Sequence, residues 1–549
     1  MKRRPYADHA LPALTRDDPV LRNVGLWGSA LVAGLFVVAG ATLWQGFYAV
    51  ALLFGLLFMV AAHDFFQTKH TLRRNFPLTG RLRWFLEDLR PFTRAYFVES
   101  DLEGRPFNHE QRALIYARAK GERESHPFGT ELDVYAEGYE SLAHSMAPSE
   151  ASAERARVRV GGADCSKPYD AALLNISAMS YGSLGQKAIE ALNRGAAIGG
   201  FYHDTGEGGI SPYHRNGGDL VWELGTGYFG ARTTDGEFCP DAFADKAADD
   251  QVVMTELKLS QGAKPGKGGM LPAAKVTQEI AEIRGVPRAQ NVYSPARHKA
   301  FSTPIELLEF IAKMRDLSGG KPVGIKFCVG YPHEVLALSK AMILTGIRPD
   351  FMVVDGGEGG TGAAPQEMSD HIGLPLREGL IIARNALVGC GLKDEVKLAA
   401  AGKVHSSAGM AMQFALGADW CNAGRAFMFA LGCIQSQHCH TDQCPTGVAT
   451  TSPARQWGLH VPTKAERVAR FQAATLQRLS DLMVAAGIED HREFEPFHLR
   501  QRVSVARMVN IDRVYEFLEP GALLADPDAT KYARWWRMAQ AESFRPVCR

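Results

Sequence analysis

Cys433, Cys439 and Cys444 fall within one stretch, "GCIQSQHCHTDQCPTGVAT", at C-x5-C-x4-C spacing, with His438 and His440 flanking the middle thiol. Three thiolates in one short loop are soft ligands suited to an iron–sulfur cluster, and Pro445 after the last cysteine is shared with ferredoxin-type segments. Zinc with a histidine as fourth ligand is a second reading, although structural zinc favours closer cysteine pairs than these. A loop that carries cysteines without a metal is the third. Spacing alone leaves all three open. The other cysteines, Cys165, Cys239, Cys328, Cys390, Cys421 and Cys548, stand singly, and an odd total of nine over 549 residues is no disulfide framework. A reducing compartment is expected, with the single thiols acting as small buried hydrophobes.

A second group of residues has the chemistry to hold an anion. "LKLSQGAKPGKGGMLP" brings Lys258, Gln261, Lys264 and Lys267 into one glycine-rich span. Clustered lysines can form a solvated face; beside glycines they suit an anionic ligand better, because glycine lets backbone approach closely. Lys326, in "GIKFCVG", is a charge inside an apolar run. It reads equally as a buried, paired lysine and as a cation facing a cofactor ring. "DGGEGGTGAAP", with Asp355, Gly356 and Gly357, and "DTGEGG" are too glycine-dense to be only turns. Gly402 and Lys403 in "AAAGKVHSS", with Gly424 and Arg425 in "NAGRAF", offer backbone N–H groups and positive charge to a phosphate.

The elements that must hold these residues are short apolar strands. In order they read "LNISAMS", "GFYHDTGE", "YFGAR", "TELKLS", "PVGIKFCV", "DFMVVDGG", "VKLAAAG" and "DWCNAGR", separated by helical patterns. Near-continuous apolar runs suit parallel strands buried on both faces. Eight such units predict an α/β fold, a (β/α)8 TIM barrel, ahead of a doubly wound sheet. Active sites of such barrels lie at the strands' C-terminal ends, often with phosphate held after strands seven and eight. Ser183 with Gln186, and Thr463 with Glu466, match capping boxes ahead of two helices, the second stopping near Gly487. The expected order is a segment over 1–22, a transmembrane helical hairpin over 23–66, a lead-in region over 67–150, the barrel with its cysteine loop over 151–450, and a helical region over 451–549.

The hairpin rests on composition. No formally charged residue occurs from Asn23 to His63, about twice the ~20 apolar residues one spanning helix needs, and Gln45-Gly46 stands near the middle. Aromatic residues such as Trp27, Trp44 and Phe66 sit where interfacial belts fall. Basic residues flank the run on both sides, so both termini and the catalytic body are expected in the cytoplasm, with the membrane as a partner. A net charge of +1 gives no reason to expect nucleic acid.

The segments "SAMSYGSLGQKAIEALNR", "TGEGG", "QGAKPGKGGMLP", "GGTGAAP" and the cysteine stretch, in this order, closely resemble the FMN-binding synthase domain of glutamate synthases over residues 165–450. The resemblance implies FMN beside a [3Fe-4S] cluster on Cys433, Cys439 and Cys444. It implies condensation of 2-oxoglutarate with ammonia, and reduction of the imine to L-glutamate. Lys264 matches the family's substrate-binding lysine and Arg284 a downstream arginine, with Lys258 beside them. Lys264, Lys326 and Gln261 form the expected catalytic set. Met179, Ser180 and Gly182 would lie along the flavin and Lys326 at its pyrimidine side. Asp355, Gly356, Gly357, Gly402, Lys403, Gly424 and Arg425 complete the expected cofactor contacts.

The family's "KPGEGGQLPG" reads "KPGKGGMLPA" here, so Lys267 and Met270 replace a Glu and a Gln near the substrate. The keto acid is thereby left open. No glutaminase domain with an N-terminal cysteine, no glycine-rich β-helix and no dinucleotide fingerprint is evident. Ammonia and electrons are expected from solution, or from glutaminase and electron-donor proteins. Rival readings are the same scaffold acting on another keto acid or amine, such as N-methylglutamate formation, and a non-catalytic flavin/iron–sulfur electron-transfer subunit.

Overall fold

The computed structural model describes residues 23–150, 152 and 156–547, and its eight central strands close into a parallel barrel. In chain order these are β1 (Leu174–Ile176), β2 (His203–Asp204), β3 (Leu220–Leu224), β4 (Val252–Lys258), β5 (Val323–Phe327), β6 (Phe351–Asp355), β7 (Lys397–Ala401) and β8 (Trp420–Ala423). Closure is made by β8 on β1, with Ala423 opposite Ile176. The strands are almost wholly buried, as apolar runs covered on both faces must be.

One expected strand is displaced. "YFGAR" is a turn: Tyr228 and Gly230 have φ of +48° and +88°, left-handed values that extended backbone cannot use. The third strand is Leu220–Leu224, eight residues earlier, and every residue in it is buried. Glu223, an acid in its middle, conceals it in the sequence.

The chain divides into two compact units between Gly104 and Arg105. In the first, α1 (Val24–Thr42) and α2 (Phe47–Phe66) are two helices long and apolar enough to cross a membrane, and they pack on each other. Close approach at their turn needs Gly40, where a Cβ would fall 2.9 Å from the Tyr48 ring. An exposed helix, α3 (Arg81–Thr93), follows in the same unit.

In the second unit, residues 105–150 are part of the barrel's compact body. There α4 (His109–Lys120) begins on a true capping box, Asn108 with Gln111, and buries Ile115 and Ala119 in the main core. After β1, α5 (Gln186–Gly199) starts at Gly185 without a side-chain cap. Ser183 instead meets Ser180, Oγ to Oγ at 3.2 Å, so the expected Ser183–Gln186 box does not form. The helix-rich C-terminal region is led by α6 (Val461–Ala486), which lies across α4 and α5 and ends at Gly487 in a left-handed cap. Its first residue precedes Thr463, which bonds His460, while Glu466 pairs with Arg470. The Thr463–Glu466 box is therefore absent as well. The region also holds an antiparallel ribbon, Leu499–Ser504 with Arg507–Asn510, whose first strand pairs with Glu140–Leu142.

Candidate functional site

At the C-terminal ends of β3, β4 and β5 the barrel interior is charged. Lys258 and Lys326 donate to the two oxygens of one carboxylate, Glu223, each at 2.8 Å. Glu207 stands 3.4 Å from Lys258, and Asp204 and Glu256 stand 3.9 and 3.7 Å from Lys326. All but Glu207 are buried. Burial alone would neutralise each of them. It is outweighed at Lys326 by Glu223, Glu256 and Asp204, and at Lys258 by Glu207 and Glu223, so both lysines are held above their ordinary values. Burial also works against ionised Glu223, but the two lysines keep it well below the carboxylate range. Asp204 and Glu256 go the other way, burial first and neighbouring carboxylates second, and they hydrogen-bond each other. One proton on this pair would leave the buried layer neutral: two lysines, Glu223 and one negative charge on the pair.

This layer floors a cavity of about 440 Å³, a size that suits a cofactor with a small substrate. Lys264, Gln261 and Arg284 reach its wall. Lys264 Nζ donates to the Ala363 carbonyl at 2.9 Å rather than to a carboxylate, and burial pushes its pKa down. Arg284, in the helix after β4, donates through Nη2 to the Tyr181 carbonyl (3.0 Å) and lies over the Phe229 ring. Its Nε is buried without a partner, and burial lowers its pKa to about 10. Met270 lines the cavity, whereas Lys267 is exposed and lies outside its wall.

Farther round the rim, Gly402, Lys403, Gly424 and Arg425 bring two cations to one place over the Phe107 ring, at 5.6 and 4.9 Å. Arg425 donates to the Glu358 carbonyl. Met179, Ser180 and Asp355 also line the cavity. Asp355 accepts the Gly262 N–H at 2.8 Å, a contact only glycine permits, since a Cβ there would fall 1.7 Å from the Gly356 oxygen. Gly182, Gly356 and Gly357 are not in the wall: the last two give their N–H groups to the carbonyls of Ala401 and Leu374. Those two amides are already satisfied within the protein.

The cysteine loop borders the same cavity. Cys433 and Cys439 line it, and Cys444 is buried behind them. Burial pushes Cys433 up to about 12 and raises Cys439, while the Thr446 hydroxyl and nearby amides overcome burial at Cys444 and lower it. Gln435, Gln437 and Asp442 are left-handed, a strain typical of loops shaped around a function. The Gln435 side chain is fixed by the backbone of Phe107 (3.1 and 2.9 Å), and Asp442 accepts the Thr451 N–H.

Six contributors escape the sequence, the buried acids Asp204 and Glu256 among them. Glu223 is hidden by the displaced third strand, and Glu207 sits unremarked in "DTGEGG". Lys275, fully buried, donates to the Ser183 carbonyl at 2.7 Å and interacts electrostatically with Asp442, Cys439 and Cys444. Phe107 comes from the lead-in region, which supplied no candidate site residue. Only the acids among them had a signal, standing amid apolar residues or glycines.

Comparison with known proteins bears on this arrangement. Residues 133–489 match the family model described as the conserved region in glutamate synthase. The glutamate synthase large subunit-like protein YerD of Bacillus subtilis (strain 168) is 37% identical over 495 residues, 82% of this chain and 94% of that protein. An archaeal-type glutamate synthase (NADPH) of Thermotoga neapolitana is 33% identical over 57% of this chain and 59% of its own length. A flavocytochrome b2 mutant with pyruvate bound overlaps 74% of this chain at 15% identity with a TM-score of 0.38, too loosely to add to the barrel described above. The match spans the barrel, the cationic rim and the cysteine loop together, and the chain belongs to the glutamate synthase family.

Proposed function

We propose that this chain is a glutamate synthase-type oxidoreductase that reductively aminates 2-oxoglutarate to L-glutamate, with FMN in the barrel-rim cavity and a [3Fe-4S] cluster on Cys433, Cys439 and Cys444. The observation that carries the reading is the convergence on one cavity of Lys264 and Arg284, neither spent on a carboxylate, with two thiols of the cysteine loop. Glu207 acts on both only at a distance, and a dicarboxylate would give them directly bonded counter-charges.

FMN fits the residues present. Lys403 and Arg425, clustered beside Gly402 and Gly424, would hold the phosphate. Met179 and Ser180 would lie along the ring, and Lys326 would face it from below. The three thiols are an appropriate donor set for an iron–sulfur cluster. Bound, the two groups supply a hydride and single-electron transfer respectively.

The protein's own groups do the rest. Lys264 and Arg284 grip and orient the carboxylates of the keto acid, so that ammonia adds at its carbonyl carbon and water leaves to give the imine. Lys326, locked by Glu223, presents a fixed positive charge, and such preorganised charge needs no rearrangement during reaction.

The membrane reading belongs here too: α1 and α2 would anchor the enzyme as a hairpin, with the catalytic unit and both termini in the cytoplasm. Electrons and ammonia would come from partner proteins or solution.

The test is to reduce the purified protein anaerobically, add 2-oxoglutarate with and without ammonium, and follow flavin absorbance and glutamate together. Reoxidation with glutamate formed only when both are present is expected. No reoxidation with both defeats the proposal. Met270 in the cavity wall favours one second reading, a different keto acid or amine; reoxidation by another keto acid, or with methylamine, would select it.

A further inference from the structure

We propose that α3 and the turn after it, Arg94–Val98, form an interfacial helix that lies in the headgroup layer of an anionic bilayer beside the hairpin. The inference rests on the proposal that α1 and α2 span the membrane.

Leu82, Phe85, Leu86, Leu89 and Phe92 recur at helical spacing, so they make one stripe along α3. In a helix packed on a protein core that stripe is the buried face. Here no residue of α3 is buried, and Phe85 is 61% exposed. Tyr96 continues the stripe, and beside it Phe97 and Val98 add exposed apolar surface, Phe97 being 86% exposed. An apolar face this continuous needs a cover.

Two contacts fix where that face begins. Asp64, near the end of α2, receives a bidentate pair from Arg81, the first residue of α3, at 2.6 and 2.7 Å. Pro77 and Leu78, just before α3, press on the start of α1 at Gly25, where a Cβ would fall 2.1 Å from the Pro77 oxygen. The outer ends of both apolar helices therefore meet at the root of α3. If the hairpin spans the bilayer, that root lies where hydrocarbon gives way to headgroups.

Charge selects the kind of surface. Between Gln67 and Val98 there are seven basic residues and two acidic ones. Arg90 lies on the helix flank beside the stripe, where it reaches lipid phosphates while the apolar face enters the acyl boundary; Arg83, on the same side but farther round, pairs with Glu87 at 3.6 Å and adds its charge there. Glu87 lies opposite the stripe and turns that side of α3 to solvent, while Asp88 flanks the stripe on the side away from Arg90. A lipid surface uses both features at once.

The experiment uses the full-length chain in nanodiscs containing a phospholipid with a photoactivatable diazirine high on its acyl chain, with adducts mapped by peptide mass spectrometry. Adducts are expected in residues 82–98 as well as in α1 and α2. Leu86→Asp with Leu89→Asp should remove the former and keep the latter. Replacing phosphatidylglycerol by phosphatidylcholine, or Arg83→Gln with Arg90→Gln, should lower the 82–98 yield by about fivefold. Adducts in the hairpin but none in 82–98, as when another protein covers the stripe, would overturn this inference alone. Adducts in neither would overturn the hairpin reading beneath it. Equal yields in both lipids would overturn the anionic component.

Discussion

Lys258 and Lys326 are register partners on adjacent strands, and their ammonium groups meet on the two oxygens of Glu223. Side by side in a buried layer, two such cations repel unless a carboxylate lies between them. Glu223 is thus the keystone of the floor, and its removal leaves both lysines facing each other. Glu223→Ala should destabilise the barrel by about 3–5 kcal/mol, the range for breaking a buried ion pair from one side. Thermal unfolding of the purified protein measures this. An unchanged midpoint would mean that Asp204 and Glu256 take over the lysines and that Glu223 is dispensable.

The neighbouring carboxyl pair predicts a pH effect of known sign. Burial, then Glu223, pushes Asp204 up from 3.8 to about 7, against the pull of Lys326. A carboxyl with a raised folded pKa binds its proton more tightly when folded. Its contribution is therefore present below the ordinary value and is lost as pH rises through about 7. Asp204→Asn removes that titration. The midpoint of the variant minus that of wild type should rise between about pH 4 and about pH 7 and level off above. A pH-independent difference would show that Asp204 is ionised throughout.

How much of this was readable in the sequence follows from the reach of each interaction. Strands β1, β2 and β4 to β8 were legible, most of them because a parallel strand covered on both faces must be apolar, and Lys326 stood out against that background. Its partner did not: Glu223 breaks the run that would have revealed β3, and pattern reasoning moved the strand to Tyr228–Arg232. Gly356 and Gly357 were legible as loop residues, but the carbonyls that take their N–H groups, on Ala401 and Leu374, are far along the chain. Phe107 was invisible for the same reason, since its backbone pairs with Gln435, 328 residues away. Local signals locate charged and glycine-rich segments; which of them face the cavity depends on closure of the barrel.

Substrate capture should depend on Lys264 more than on any exposed lysine near it. Its ammonium is buried and donates to a backbone carbonyl rather than to a carboxylate, and burial already pushes its pKa down. An incoming carboxylate restores the missing counter-charge. A charge-assisted hydrogen bond contributes about 1.5–3 kcal/mol, so Lys264→Met should lower kcat/KM for 2-oxoglutarate by roughly tenfold to a hundredfold. The flavin spectrum of the variant should be unchanged. A variant with full kcat/KM would remove Lys264 from the binding set.

The cysteine loop offers the sharpest separation of the three readings its spacing allowed. Cys439 is the middle thiol, at the cavity wall, and the loop around it is held by contacts that do not involve its sulfur: Gln435 to Phe107 and Asp442 to Thr451. Cys439→Ser should therefore leave the fold intact while removing one ligand of three. Iron content and the electron paramagnetic resonance signal of an oxidised [3Fe-4S] cluster should both disappear, and the flavin absorbance should remain. Cys165→Ser is the control, because Cys165 is buried against the Gly320 carbonyl at the other end of the barrel strands, where it bonds residues that precede β5. Its iron content should match wild type. Zinc in place of iron in the unmodified protein would select the second reading. No metal at all, with Cys439→Ser indistinguishable from wild type, would leave the loop as structure, and the cavity would then lack the one-electron relay that couples it to a donor.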